Sequence, residues 1–339
     1  MLCAAFVALP SGARAEQGET DAYGYRWTDS DSPTPSVTFE WVNINSTGND
    51  TGVSGDDSAF GPYPIGFAFE FYGIEYTELY ISTNGLVTFE GPDASPGYTP
   101  IPIFWGANGF VAPFWADLCV DYSGYNTGAV YYETRGVTPN QQMVIEFQEV
   151  SYLGSYDLMT FEVILCETGE IWFNYLTLNG WVGDYASVGI EDATGYKGTE
   201  YSFAAPNLHD GLAVMFSVAA VSIGPDGTMK GSAGTAPYHV VYVANHQAFD
   251  DTFELTNFTD NGWPITIRDD TSAVVTDTDD DLVQDTGVIP AGSSKILYVE
   301  VSIPTDPAFR SENITVNATS AADSLVWDRV YLTTEVYLA

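Results

Sequence analysis

Positive charge is what this 339-residue chain lacks most: nine Lys and Arg stand against 46 Asp and Glu, a formal net charge of −37 at pH 7. A surface this anionic repels phosphate backbones and anionic headgroups, which argues against nucleic acid and acidic membranes as partners. Long apolar runs are also missing. The longest, residues 211–224 (GLAVMFSVAAVSIG), falls short of the ~20 residues a membrane-spanning helix needs, so no membrane insertion is expected. Histidine is scarce, and His209, His239 and His246 are scattered, with no Gly-x-Ser-x-Gly near any of them. Asp285-Thr286-Gly287 matches the aspartic-protease tripeptide, but no second apolar-apolar-Asp-Thr/Ser-Gly occurs and that chemistry needs two carboxylates sharing a proton. No catalytic residue is therefore assigned, and the chain is not read as an enzyme.

Apolar periodicity of 3.6 residues is nearly absent too, while Gly (32), Pro (18), Tyr (22) and Phe (19) are abundant. Short alternating runs between turn residues predict an all-β protein, and the length predicts two cores. Leu2–Leu9 followed by Ala13-Arg14-Ala15 reads as a partial secretory signal over 1–15, cleaved after Ala15. Secretion or a cell-surface location follows. Residues 22–222 and 238–339 are expected as separate β domains. Between them, the Gly- and Pro-rich stretch 223–237 is expected as a flexible linker. In the first domain, Gly66–Tyr72 places Phe67, Phe69 and Phe71 on one strand face, and Asn84-Gly85 marks a hairpin.

The order of blocks in the first domain resembles the nidogen-type extracellular domain. The blocks are Trp27-Thr28-Asp29-Ser30-Asp31-Ser32, Pro64-Ile65-Gly66-Phe67 with Phe71-Tyr72-Gly73, and Ser82-Thr83-Asn84-Gly85. Val111–Leu118 (VAPFWADL), Val188-Gly189-Ile190-Glu191 and His209-Asp210-Gly211-Leu212 follow. The resemblance implies a β-sandwich or jelly-roll-like domain with adhesive or matrix-like roles. The second domain is similar to immunoglobulin-like β-sandwich repeats of prokaryotic surface proteins, through Asp285-Thr286-Gly287, Ile289–Ser293 and Thr315–Ser320. That likeness implies that further repeats belong to a larger protein.

Three sets of site residues stand out. Asp277, Asp279, Asp281 and Asp285, with Asp269 and Asp270 just before them, supply carboxylates at spacings that suit a hard cation, and calcium is the expected cofactor. The run resembles DxDxDGxxD calcium loops, with Leu282 where those loops carry Gly and Val288 where an EF-hand carries its bidentate Glu. Cys119 and Cys166 remain after the signal, which takes Cys3 with it, and in an exported chain they are expected as a disulfide. Asn45, Asn49, Asn257, Asn313 and Asn317 each begin an Asn-x-Ser/Thr glycosylation sequon. Trp105, Trp172, Trp181 and Trp263 could stack sugars, with burial in the core the favoured expectation.

The function expected from all this is a secreted or surface structural and adhesive protein, whose partner is an extracellular protein or glycan. The alternative is a carbohydrate- or protein-binding ancillary module of a secreted hydrolase, a peptidase, whose catalytic domain lies outside this sequence.

Overall fold

A computed structural model describes residues 20–32, 37–122, 124–180, 183–247, 249–278, 281–322 and 326–337. The expected signal over 1–15, with Cys3, lies outside the described residues. These residues hold strands and no helix, in agreement with the all-β expectation. In chain order the first strands are β1 (Tyr25–Asp29), β2 (Asn49–Asp50), β3 (Gly55–Asp56), β4 (Ala59–Phe71), β5 (Ile74–Ser82), β6 (Val87–Thr88), β7 (Phe110–Trp115) and β8 (Leu118–Val120). Next come β9 (Ala129–Arg135), β10 (Gln142–Tyr152), β11 (Met159–Cys166), β12 (Ile171–Thr177), β13 (Ser187–Glu191), β14 (Gly198–Phe203) and β15 (Ala213–Val218). The remainder are β16 (Val221–Gly224), β17 (Gly227–Gly231), β18 (Tyr238–Asn245), β19 (Asp251–Thr259), β20 (Ile265–Asp269), β21 (Asp285–Ile289), β22 (Ser294–Val301), β23 (Ser311–Ser320) and β24 (Trp327–Val336).

The chain divides into two compact units. In the first, one sheet runs β1-β15-β12-β11-β10-β8-β3, with β9 also on β10 and β2 on β9; a second runs β14-β13-β7-β6-β5-β4. Aromatic rings join their inner faces. Phe114 of β7 stacks on Phe161 of β11 at 5.6 Å between centroids, and Phe161 on Phe147 of β10 at 4.8 Å. The hydroxyl of Tyr175 on β12 donates to the Pro113 carbonyl at 2.6 Å, so this fully buried phenol keeps its hydrogen bond. Phe67, Phe69 and Phe71 are all buried and alternate with exposed residues, as the period of two requires.

Asn84-Gly85 turns β5 into β6, whose register pairs Ile81 with Val87. Gly85 sits at φ +72°, and a Cβ there would lie 2.0 Å from the Phe114 carbonyl oxygen. Both the left-handed backbone and the close approach therefore demand glycine.

The second unit holds a sheet in the order β16-β18-β22-β20 and another in the order β17-β24-β23-β19-β21. Val241, Val243, Leu297 and Val299 from the first and Phe253, Leu255, Val316 and Val330 from the second share one buried cluster, which makes this unit a two-sheet sandwich. Residues 223–237, expected as a bare linker, instead carry the end of β16 and all of β17. The latter pairs parallel to β24 from Gly227 to Gly231. Their Gly and Pro content suits edge strands, whose exposed side needs no ladder partner.

Candidate functional site

The expected disulfide does not form. Cys119 and Cys166 are both free and buried. Register explains why: Cys119 on β8 pairs with Ser151 of β10, whereas Cys166 on β11 pairs with Gln142 at the other end of β10. At ~3.3 Å per residue that span is about 30 Å, far beyond the ~7 Å a disulfide can bridge between Cα atoms. Each thiol has polar neighbours instead, the Asn126 amide at 3.3 Å from Cys119 and the Gln142 amide at 3.8 Å from Cys166. Burial pushes the Cys166 thiol up to about 11 and raises Cys119 as well, so neither is a ready thiolate.

The expected calcium ligands serve their own turns. Asp285 is buried, and its carboxylate accepts from Thr278 N (2.5 Å), Thr278 Oγ1 (2.6 Å) and Gly287 N (2.5 Å). Asp269 Oδ1 accepts from the Thr271 and Ala273 amides, Asp277 Oδ2 from Leu282 N, and Asp281 Oδ1 from Val283 N. Leu282 adopts φ +79°, taking the left-handed turn that calcium loops give to glycine. Asp279 lies outside the described residues. Among those described, Asp269, Asp270, Asp277, Asp281 and Asp285 supply no three carboxylates with oxygens within 4.8 Å of one another.

Such a triad does form in the first unit, from Asp56, Asp57 and Asp117. It arises where two sequence blocks meet. Asn84 Nδ2 donates to Asp57 Oδ1 at 2.9 Å, and Asn84 Oδ1 accepts from Leu118 N at 2.9 Å. Burial, then the Asp56 and Asp57 charges, raise the Asp117 carboxyl.

Among the sequons, Asn49, Asn257 and Asn313 are exposed and Asn45 and Asn317 half-buried. Of the tryptophans, Trp263 is core, Trp172 is half-buried and Trp181 lies outside the described residues. Trp105 departs from the core expectation, being 61% exposed beside Phe104 at 58% and Tyr196 at 74%.

These three aromatics form one cluster on the first unit. Phe104 meets Trp105 edge-on with centroids 4.5 Å apart, and lies parallel to Tyr196 within 4° at 6.0 Å. Phe104 and Trp105 cap the loop between β6 and β7. The loop is anchored on both sides of them by buried Ile101, Ile103 and Ala107. Its amides are held by carboxylates of the β13–β14 hairpin: Ile101 N donates to Glu200 Oε2 at 2.8 Å and Ile103 N to Glu191 Oε2 at 2.5 Å. Burial pushes the Glu191 carboxyl up to about 8. Tyr196 rides the hairpin turn, where Asp192 Oδ1 accepts from the Thr194, Tyr196 and Lys197 amides.

Turn and loop touch at Gly195. A Cβ there would lie 2.6 Å from the Ile103 carbonyl oxygen and 2.7 Å from Phe104 Cα. The rings are thus presented on fixed backbone, which lowers the ordering cost of binding through them. Sequence reasoning missed Phe104 and Tyr196, because nothing in their spacing distinguishes a displayed ring from a buried one.

The blocks that meet at Asn84 and Leu118 belong to a recognisable pattern: a family model described as "NIDO related" matches residues 33–222, more than half of the chain. The chain belongs to the NIDO-related family. No curated protein matches it. Among solved structures, this NIDO-related chain is similar to the ASH/PapD-like domain of human CEP192, at 13% identity over 36% of this chain and 87% of that one, TM-score 0.23. It is also similar to WR4, a C. elegans MSP family member (10% identity, 35% and 99% covered, TM-score 0.23). A third is the VesB protease of Vibrio cholerae (10% identity, 95% and 89% covered, TM-score 0.25). TM-scores this low carry nothing about role from those proteins to this one.

Proposed function

We propose that this NIDO-related chain is a structural and adhesive module of a secreted or cell-surface protein, acting by binding and not by catalysis. The observation that carries the reading is the fixed, exposed cluster of Phe104, Trp105 and Tyr196. Soluble proteins rarely display three large rings in contact unless a partner covers them, and aromatic side chains dominate binding energy at interfaces. Membership of the NIDO-related family supports an extracellular setting. In this reading the second sandwich is an immunoglobulin-like surface repeat, the N-terminal apolar segment is a secretory signal, and exposed sequons are open to glycosylation. A calcium ion on the 269–285 loops belongs to the same proposal. A Tm that rises with calcium supports it, and a Tm unmoved up to millimolar calcium sinks it.

The second reading is an ancillary glycan-binding module of a secreted hydrolase, which the same cluster favours because sugar rings stack on aromatic faces. One experiment addresses both: the full chain and its Trp105→Ala variant applied to a glycan array and to a panel of purified extracellular proteins. The expected result is binding to proteins that falls at least tenfold in the variant, whose Tm is unchanged because Trp105 is largely exposed. Retention of glycans alone moves the assignment to the second reading. Equal binding by both proteins removes the cluster from either.

A further inference from the structure

A strap without strand structure, residues 37–48, lies against one sheet of the first unit. Its polar tethers come from a row of side chains running across three strands. Glu146 on β10 stands opposite Glu162 on β11, and Glu162 stands opposite Asn174 on β12. Ile44 N donates to Glu146 Oε2 at 2.9 Å and Val42 N to Glu162 Oε1 at 3.2 Å. Asn174 Nδ2 donates to the Glu40 carbonyl at 3.1 Å and to Glu162 Oε1 at 2.8 Å. Glu146, Glu162 and Asn174 are all at least 98% buried.

One atom of each partner is left over. Glu162 Oε2 and Asn174 Oδ1 are sealed from solvent and have no hydrogen-bond partner among the described residues. Two orphaned acceptors would each carry a full desolvation penalty. A single proton removes both penalties, because a carboxylic acid O–H on Glu162 can donate to Asn174 Oδ1 while the amide N–H already donates back. We propose that Glu162 is held as the neutral acid, closing a reciprocal acid–amide pair with Asn174 that latches the strap, and that loss of this proton releases the strap.

The surrounding charges agree. The Glu162 carboxyl is pushed up to about 8, burial being the largest influence and the facing Glu146 acting in the same direction. Arg135 on β9 opposes this, as do the hydrogen bonds from Asn174 and Val42. The strap itself brings Glu40, another acid, to the edge of the same row, and the facing Glu146 is itself raised by burial. Release would uncover Val144 and Ile164, against which Ile44 of the strap packs, beside a cavity of about 460 Å³ that Val42, Trp172 and Asn174 already help to line.

Carboxyl ¹³C NMR of the full chain labelled at Glu, combined with amide hydrogen exchange at Val42 and Ile44, tests the latch. Glu162 is expected to resonate as a neutral acid at pH 7 and to titrate near pH 8. After correction for intrinsic rates, opening at Val42 is expected to grow at least tenfold per pH unit between pH ~5 and ~8, one factor of ten coming from Glu162 and the rest from the raised Glu146. In Glu162→Gln, whose amide copies the protonated acid, that growth falls by one proton's worth, and what remains reports Glu146. An ionised Glu162 at pH 6, or an undiminished slope in the variant, overturns the proposal. The wild-type titration decides by itself if the variant does not fold.

Discussion

Replacing Glu162 by Gln should make the first unit more stable at neutral pH, although it removes a buried hydrogen-bonding carboxyl from the middle of a sheet. The native carboxyl sits at about 8, against 4.5 for the free side chain. Below pH 4.5 both native and unfolded chains hold the proton, so the group costs nothing. Between 4.5 and 8 only the native chain holds it, and stability falls as pH rises. Above 8 both have lost it and the penalty is constant. At pH 7 the native chain has paid for about 2.5 pH units of proton uptake, or about 3 kcal/mol. Gln keeps the oxygen that accepts from Val42 and Asn174 and supplies an N–H to Asn174 Oδ1 without any proton uptake.

For a unit of this size, about 3 kcal/mol corresponds to a Tm rise of roughly 5–10 °C. Thermal melts followed by near-ultraviolet circular dichroism at pH 4, 7 and 9 give the test. The variant should match the wild type at pH 4 and exceed it at pH 7 and 9. A lower Tm at pH 7, or a difference that does not change with pH, refutes the reasoning.

Two further outcomes follow from the packing. Because Cys119 and Cys166 are free and buried, a reductant should leave Tm unchanged, and both thiols should react with a thiol reagent only in denaturant; a reductant-dependent Tm would restore the disulfide. Gly85→Ala should destabilise the first unit by about 3 kcal/mol or more in urea melts, since its Cβ would collide with the Phe114 carbonyl at a left-handed backbone position. A change under 1 kcal/mol would mean that the β5–β6 turn yields easily.

The β architecture was legible because alternation and turn chemistry are local. Phe67, Phe69 and Phe71 needed only a period of two, and Asn84-Gly85 needed only its own φ preference. The disulfide was misjudged because cysteine count and compartment say nothing about register, and it is β10 that holds Cys119 and Cys166 at opposite ends. Residues 223–237 looked like a linker because glycine and proline also mark edge strands, and only the pairing partner, β24, distinguishes the two. Trp105 was visible as a candidate, but its exposure depends on Ile101, Ile103 and Gly195 fixing the loop from beneath, contacts between residues ninety or so positions apart. Glu162 carried no signal at all. In a chain with 46 acids, a buried one is indistinguishable from the coat until the strand opposite it is known.

That coat hides a second use of acidity. Glu146 and Glu162 accept strap amides, Glu200 and Glu191 accept those of the aromatic loop, Glu312 accepts from Asn261 and Trp263, and Asp328 accepts from Ile223. With nine Lys and Arg in the chain, ion pairing cannot be the general answer for buried carboxyls, and backbone N–H groups outside the ladders take that place. Burial raises Glu146, Glu162, Glu191, Glu200 and Asp328, so each binds a proton in the native state at a pH where the unfolded chain has released it. Each therefore makes stability fall as pH rises above the ordinary carboxyl range. Mutual repulsion among the surface acids acts in the same direction, since their charge also grows with pH. The Tm of the full chain should accordingly peak near pH 5 and decline towards pH 8, the reverse of the usual response of a protein whose carboxylates are salt-bridged. A Tm that climbs steadily from pH 5 to 8 would show that the buried acids are ionised in the native state and held by their amide donors alone.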